Sequence, residues 1–314
     1  MKKIIYNQYG SVDVLHSVEV NKPIPDTQQI LVKVKAVSIN PIDWKILMGE
    51  VKLMSGKKFL KSIGCDFSGT IESTGTGVQK FKAGDDVFGV TNPFKEGALG
   101  EYILVNEKEI AKKPAELTFE QAAAIPTVGQ SALQMLTKNL NNIKGKEILI
   151  NGASAGVGML AIQIAKSHGA IVTAVSSVKG HHLLKKWGSD YVIDYNKEKL
   201  TDLKKKFDMI IELSAKLSFS QAKKLMKPES TYFTVMPLLW NFVQSFLNNM
   251  VSKKKYEILL MKSDTESLNR LANYTLKGFD IHISKTYPMS DYKEAYKTII
   301  KEGALGKVVF NIPS

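Results

Sequence analysis

The sequence predicts an α/β protein in which a doubly wound parallel sheet is joined to a separate β-rich domain. Three observations carry this. Short β-like runs crowd the first 115 or so positions; strands and helices alternate from Gly145 onward; and a turn of small residues at 152–158 stands between an apolar strand and a helix. The 314 residues suffice for two domains and a large core.

In the first region, Ile30-Leu31-Val32-Lys33-Val34-Lys35-Ala36 alternates apolar with more polar positions, the period of a half-buried strand. Further short runs follow at 69–72, 86–90 and 101–105. Glycine turns such as Gly75-Thr76-Gly77 and Ala83-Gly84-Asp85 separate them, which predicts a compact barrel-like domain. Thr118-Phe119-Glu120-Gln121 has the form of a capping box and opens an alanine-rich helix. Beyond it the sequence predicts strands at 147–151, 170–175, 191–194, 207–213 and 231–235, with helices at 157–168 and 179–187. That alternation implies a parallel sheet covered on both faces. The tail turns mixed and ends in the strand-like Lys307-Val308-Val309-Phe310-Asn311-Ile312. The resulting domains are 1–118, 119–279 and a return to the first at 280–314.

Composition narrows the class. No run approaches the roughly 20 apolar residues of a membrane-spanning helix. The start, MKKIIYNQYG, reads as a first strand and not a signal peptide. Cys65 is the single cysteine, so an intramolecular disulfide or multi-cysteine zinc site cannot form; one thiol fits a reducing compartment, most simply the cytoplasm. The net charge of +13 admits a lysine-biased composition, steering of anionic ligands, or contact with nucleic acid or anionic lipid. The lysines are scattered apart from short clusters at 204–206 and 253–255, which favours the compositional reading. No basic stripe interleaved with aromatics is visible, and no nucleic-acid partner is expected.

The strongest chemical signal is Gly152-Ala153-Ser154-Ala155-Gly156-Val157-Gly158, set after the strand Ile148-Leu149-Ile150-Asn151. Small residues there let the backbone approach a pyrophosphate, whose charge meets amide groups at the helix N-terminus. With strand, helix and second strand at the right distances, this is a Rossmann dinucleotide site, against the plainer reading of a turn that only packs helix on sheet. NAD sites usually carry an acid about twenty residues past the glycines. None occurs between Glu147 and Asp190; the second strand runs instead into Ser176-Ser177-Val178-Lys179. Hydroxyls and an ammonium suit a 2′-phosphate, so NADPH is the expected cofactor.

These residues, with Tyr9-Gly10, Asn40-Pro41-Ile42-Asp43-Trp44-Lys45, Gly64-Cys65-Asp66-Phe67-Ser68-Gly69, Gly97-Ala98-Leu99-Gly100-Glu101-Tyr102 and Val192-Ile193-Asp194-Tyr195, make the chain similar to the medium-chain dehydrogenase/reductase superfamily, in its zinc-free quinone oxidoreductase branch. The resemblance implies a GroES-like catalytic domain, a Rossmann domain, an active site in the cleft between them and homodimers formed through the nucleotide domains. It implies that Tyr195, with Ser176, Ser177 and Lys179, lies near the adenosine 2′-phosphate; a packing role for Tyr195 is the plain alternative. Thr127 matches a position bordering the nicotinamide, and Val235 and Met236 are expected around that ring.

Zinc-dependent relatives of this family hold catalytic zinc through cysteine and histidine at positions that here are Asn40 and Cys65, a poor donor set. Without a Lewis acid the substrate must accept hydride readily, as quinones and α,β-unsaturated carbonyls do. Asn40 is the first catalytic candidate, through its amide, with a turn role before Pro41 as the alternative. Asp43 and Lys45 share its motif, Lys45 as a donor to a substrate or ribose oxygen. Cys65 has no recognisable histidine partner and reads as structural. The proton donor is left to solvent.

The apolar stretch 237–250, followed by Lys253-Lys254-Lys255, reads as a lid over the cleft or a dimer surface, with peripheral membrane contact less favoured. The functional reading is an NADPH-dependent reductase of quinones or related conjugated carbonyls. Its rivals are an alkenal or enone carbon–carbon double-bond reductase and, in another class, a nucleotide-binding regulatory protein with little turnover.

Overall fold

A computed structural model describes residues 1–56, 59–137, 143–235 and 239–313. The chain divides into two compact units, Met1–Thr127 with Ser263–Ser314, and Val128–Lys262.

In the first unit the long strand Gln29–Ser38 is central. It pairs antiparallel with Asp66–Thr74, with Tyr102–Asn106 and with the C-terminal strand Lys307–Asn311. Outer strands Ile283–Pro288, Asp86–Val90 and Ile110–Lys112 extend this to a seven-stranded sheet among the described residues. A smaller sheet joins Lys2–Tyr6 to His16–Glu19 and Lys61–Ser62. The alternation at 30–36 is realised as burial: Ile30, Val32, Val34 and Ala36 are all at most 1% exposed, and the first three share a core with Phe67, Leu99, Tyr296 and Phe310.

The capping box at Thr118 forms, with Gln121 N donating to Thr118 Oγ1 (3.2 Å) and Thr118 N to Gln121 Oε1 (3.0 Å). Its helix, Phe119–Ala123, is short, and Pro126 opens a second one, Pro126–Thr137. The compact units divide at Thr127 and Ser263, whereas the sequence reading placed its boundaries at 118 and 280. Helix Phe119–Ala123 is tied to the first unit by Ser68 Oγ, which donates to Phe119 O at 2.5 Å. Helix Thr265–Leu276 is tied there by Thr265 Oγ1, which donates to Glu107 O at 3.1 Å. Tertiary hydrogen bonds, invisible to periodicity, assign both helices.

Among the described residues the second unit holds a parallel six-stranded sheet in the order Tyr191–Asp194, Ile171–Ser176, Glu147–Asn151, Phe207–Glu212, Met226–Thr234, Lys255–Ile258. This is the doubly wound arrangement, with the chain reversing direction across the sheet at Glu147–Asn151. The edge strand Lys255–Ile258 escaped the sequence reading because a lysine run precedes its apolar positions.

Candidate functional site

Two groups of residues carry the predicted chemistry, one in each unit. In the first, strand Gln29–Ser38 delivers Asn40 to the start of helix Pro41–Leu47, where Asn40 N donates to Asp43 Oδ2 at 2.8 Å. The Asn40 side chain is 1% exposed and fully engaged. Lys307 Nζ donates to Asn40 Oδ1 (2.7 Å), while Asn40 Nδ2 donates to Asp66 Oδ2 (3.0 Å) and approaches Cys65 Sγ (3.6 Å). These neighbours fix the amide's orientation, since an ammonium requires its oxygen and a carboxylate its nitrogen. Asp66, which opens the strand paired with Ser38, is itself fully buried. Thr127 Oγ1 donates to Asp66 Oδ1 at 2.6 Å, and Thr127 N reaches both carboxylate oxygens at 3.1 Å. Lys307 Nζ stands 3.9 Å from Asp66 Oδ2 and also donates to Ile39 O at 2.9 Å.

Burial dominates the protonation of this cluster. It pushes the Asp43 carboxyl up to about 7, against the hydrogen bond from Asn40 N. It raises Asp66 above the usual carboxylate range although Lys307 and Thr127 pull the other way, and it lowers Lys307 despite the neighbouring carboxylates. The Cys65 thiol is driven well above its ordinary range by burial, then by Asp43 and Asp66. Tyr296, whose hydroxyl donates to Asp43 Oδ2 at 3.4 Å, is likewise raised by burial and by Asp43. Asp43 Oδ1 has no hydrogen-bond partner among the described residues. A cavity of ≈ 10 Å³, about one water in size, is lined by Asp43, Tyr6 and Ser62 among others.

In the second unit, strand Glu147–Asn151 ends where Gly152 adopts φ +80°, and Ala155 then opens helix Gly156–Ser167 without a side-chain cap. The first amides of that helix therefore have no side-chain acceptor from their own cap, the arrangement that receives an anion. A Cβ on Gly158 would lie 2.2 Å from Ala153 O, so only glycine permits this close return of helix on turn. Asn151 is held by Glu212, on the adjacent strand end, which accepts from Asn151 Nδ2 at 2.7 Å and from Ser214 N at 2.7 Å. Ser176 ends the next strand and Ser177 leads into the turn Val178–Gly180, in which Val178 and Lys179 are exposed. Tyr195 N donates to Ser176 O at 3.3 Å, and the half-exposed Tyr195 ring lies 5.4 Å from Lys216 Nζ. The carboxylate beside Ser176, Asp194, is occupied by Asn196 N and Nδ2 at 3.0 and 3.1 Å.

Of the sequence candidates, Asn40, Asp43 and Thr127 fall into one bonded cluster, and Gly152 to Gly158 with Ser176, Ser177, Lys179 and Tyr195 line one end of the parallel sheet. Lys45 is half-buried two residues past Asp43, a spacing that turns it to another side of the helix. Val235 follows strand Met226–Thr234, half-buried, and Met236 lies outside the described residues. The sequence reading missed Asp66, Lys307, Tyr296, Glu212 and Lys216. Asp66 and Glu212 left a faint signal, as acids at the ends of strands rich in apolar residues. Among the described residues no three His, Cys, Asp or Glu side chains are arranged to hold a metal ion.

Comparison with known proteins agrees with this geometry. The Alcohol dehydrogenase GroES-like domain family matches residues 26–115, and the Zinc-binding dehydrogenase family matches residues 187–310. The chain is 32% identical over 324 residues to the chloroplast envelope quinone oxidoreductase homolog of Arabidopsis thaliana, covering 98% of each. It is 39% identical over 238 residues, 72% of this chain and 59% of the other, to the 2-methylene-furan-3-one reductase of Solanum lycopersicum. The solved quinone oxidoreductase of Coxiella burnetii superposes with a TM-score of 0.91 at 29% identity, covering 100% of this chain and 99% of that one.

Proposed function

The chain belongs to the medium-chain dehydrogenase/reductase superfamily as a quinone-oxidoreductase-like enzyme, and from that premise we propose that it uses NADPH, without zinc, to reduce a quinone or a related conjugated carbonyl. The observation that carries the reading is the strand–turn–helix at Gly152–Gly158, with hydroxyls and lysines and no competing acid in the stretch that follows it.

The residues in place suit this cofactor. The turn Gly152 to Gly158 receives the pyrophosphate on backbone amides, and Ser176, Ser177, Lys179 and Tyr195, joined by Lys216, receive the 2′-phosphate. Val235, after the strand Met226–Thr234, would border the nicotinamide. NADPH, when bound, supplies the hydride. Asn40 acts as a positioning residue and not as a substrate donor, because its amide atoms are already engaged by Lys307, Asp66 and Cys65. Thr127, half-buried and anchored on Asp66, is the member of that cluster best exposed to a bound molecule.

A zinc ion does not suit the first unit's cluster. Asn40 Oδ1 accepts from an ammonium, and the one cysteine is held protonated by burial and two carboxyls. A fixed cation, Lys307, stands beside the groups a metal would need. This supports metal-free reduction of acceptors that take hydride without a Lewis acid. The lone buried Cys65 fits a reducing compartment, and we take the cytoplasm as its place.

A second reading is reduction of an enone carbon–carbon double bond. It is favoured by the higher identity, 39%, to the Solanum lycopersicum reductase over the shared 72% of the chain. Both are tested by following oxidation of NADPH and NADH against a panel of quinones and enones, with and without chelator, and identifying the products. Quinol formation faster with NADPH and indifferent to chelator is the expected result. Saturated ketone as the only product moves the assignment to the second reading; bound NADPH with no turnover on any acceptor defeats both.

A further inference from the structure

Glu212 ends strand Phe207–Glu212 beside Asn151, is 1% exposed, and draws neutral donors from two directions. Its Oε2 accepts from Asn151 Nδ2 at 2.7 Å. Its Oε1 accepts from Ser214 N and Ser214 Oγ, both at 2.7 Å, and from Lys216 N at 3.4 Å. Ser214 Oγ closes the network by accepting from Asn151 Nδ2 at 3.0 Å and from Lys216 N at 3.2 Å. The backbone so gathered is one that its own sequence does not favour. Ala215 has φ +60°, in the left-handed region that a side chain with a Cβ disfavours. The amides on either side of it, Ser214 N and Lys216 N, converge on the same carboxylate oxygen, as the donors of such a turn do on an anion. The carboxylate holds the turn that Ala215 alone would not.

This loop lies between the two parts of the proposed cofactor site. On one side it abuts the glycine turn, where a Cβ on Gly152 would lie 3.1 Å from Ser214 N and 3.3 Å from Leu213 C. On the other it ends at Lys216, whose Nζ stands 5.4 Å from the centre of the Tyr195 ring. The glycine turn has anchors of its own, since Gly152 N and Ala153 N both donate to Val175 O, at 3.2 and 2.9 Å. Lys216 depends on the loop. We propose that Glu212 is a positioning residue for cofactor choice: by holding residues 213–216 it keeps Lys216 over Tyr195 and so sets the preference for a 2′-phosphorylated cofactor. This rests on the placement of the 2′-phosphate beside Lys216 given above. A carboxylate suits the position because it only accepts, and both of its oxygens face donors. Glutamine, of the same size, must turn its NH2 toward Asn151 Nδ2 or toward Ser214 N and Lys216 N, setting donor against donor. The mismatch can be undone from the other side. With Asn151→Asp added, the glutamine NH2 donates to the introduced carboxylate, its oxygen keeps the loop amides, and the net charge is unchanged.

The test is calorimetric titration of the full-length protein with NADPH and with NADH, for the wild type, Glu212→Gln, Lys216→Ala and the two combined. Glu212→Gln is expected to raise Kd for NADPH by about five- to tenfold and Kd for NADH by less than about twofold, the selective loss of a misplaced charged contact. On the Lys216→Ala background it should add less than about twofold, because residues acting through one contact are not additive. Glu212→Gln combined with Asn151→Asp should restore most of the NADPH preference, which a merely structural role would not do. Should Glu212→Gln fail to fold, Ser214→Ala removes the hydroxyl that bridges Asn151, Glu212 and Lys216, and is expected to weaken NADPH about threefold with NADH unaffected. Equal losses with both cofactors, no loss with either, or additive losses in the combined variant overturn the proposal. Lys216→Ala without effect on NADPH defeats the placement of the 2′-phosphate and the proposal with it. A loss in Lys216→Ala that Glu212→Gln does not reproduce defeats the proposal alone.

Discussion

Lys307 Nζ lies 2.7 Å from Asn40 Oδ1 and 3.9 Å from Asp66 Oδ2, and the Lys307 and Asp66 side chains are 4% and 0% exposed. One ammonium, from the first residue of the C-terminal strand, thus locks the amide at one end of the cluster and offsets the charge of the carboxylate behind it. The C-terminal strand completes a cluster whose other members, apart from Tyr296, lie in the first 127 residues.

Removing that cation while leaving its partners is therefore costly. Lys307→Met leaves Asp66 buried beside an unsatisfied Asn40 oxygen and is expected to lower unfolding free energy by about 3–5 kcal/mol. Lys307→Met with Asp66→Asn removes both charges and should recover a large part of the loss. Denaturant unfolding of the two single variants and the double variant measures this. Strictly additive losses would show that the two groups do not act as a pair.

Asp43 gives the cluster a pH dependence. Its carboxyl moves from 3.8 to about 7 on folding, chiefly by burial. Between those values the native state keeps a proton that the unfolded chain releases, so the contribution is complete in acid and is lost as pH rises through about 7. Asp43→Asn retains an acceptor for Asn40 N and cannot titrate. From about pH 5 to about pH 8, wild-type stability should fall relative to this variant by on the order of 1–3 kcal/mol. Parallel stability profiles for the two proteins would rule out a buried, raised Asp43.

How far the sequence revealed this cluster depends on what kind of signal each member leaves. The parallel sheet and its turn were legible because strand, small-residue turn and helix are consecutive, and Gly158 states its own packing requirement. Asn40, Asp43 and Thr127 were legible as motif positions. That Asn40 is oriented inward was not, because the ammonium holding it lies 267 residues away. Lys307 read as one more lysine in a lysine-rich chain, and a buried cation has no periodicity. Stretch 237–250 was legible as strongly apolar. Which arc of its helix, Leu239–Val251, faces the protein is set by bonds to an edge strand that the sequence reading had not found.

Cys65 is 0% exposed, and burial together with Asp43 and Asp66 disfavours its thiolate. Reaction of the native protein with a thiol reagent should be slower than that of the unfolded chain by at least about a hundredfold. Cys65→Ser, which keeps a polar atom between Asn40 Nδ2 and Thr127 Oγ1, should retain turnover within a few fold. Rapid labelling of native protein accompanied by loss of activity would make Cys65 a reactive thiol and not a structural one.

Cofactor choice is the most direct test of the second unit. Ser177 follows the strand end at Ser176, Lys179 is exposed on the next turn, and Lys216 stands over Tyr195. All three lie beyond the turn proposed to receive the pyrophosphate, where the 2′-phosphate is proposed to sit. Lys179→Ala and Lys216→Ala should each raise KM for NADPH by about tenfold, equivalent to about 1.4 kcal/mol, and leave KM for NADH nearly unchanged. Because that phosphate takes no part in hydride transfer, kcat should hold. Ser177→Asp places a carboxylate there, repelling a 2′-phosphate and accepting from a 2′-hydroxyl, so the preference should shift toward NADH. Steady-state kinetics with both cofactors measures each effect. A KM ratio that none of the three substitutions moves would place the 2′-phosphate elsewhere and remove the argument for NADPH, while equal losses with both cofactors would mean that these side chains support the fold of the turn and not its selectivity.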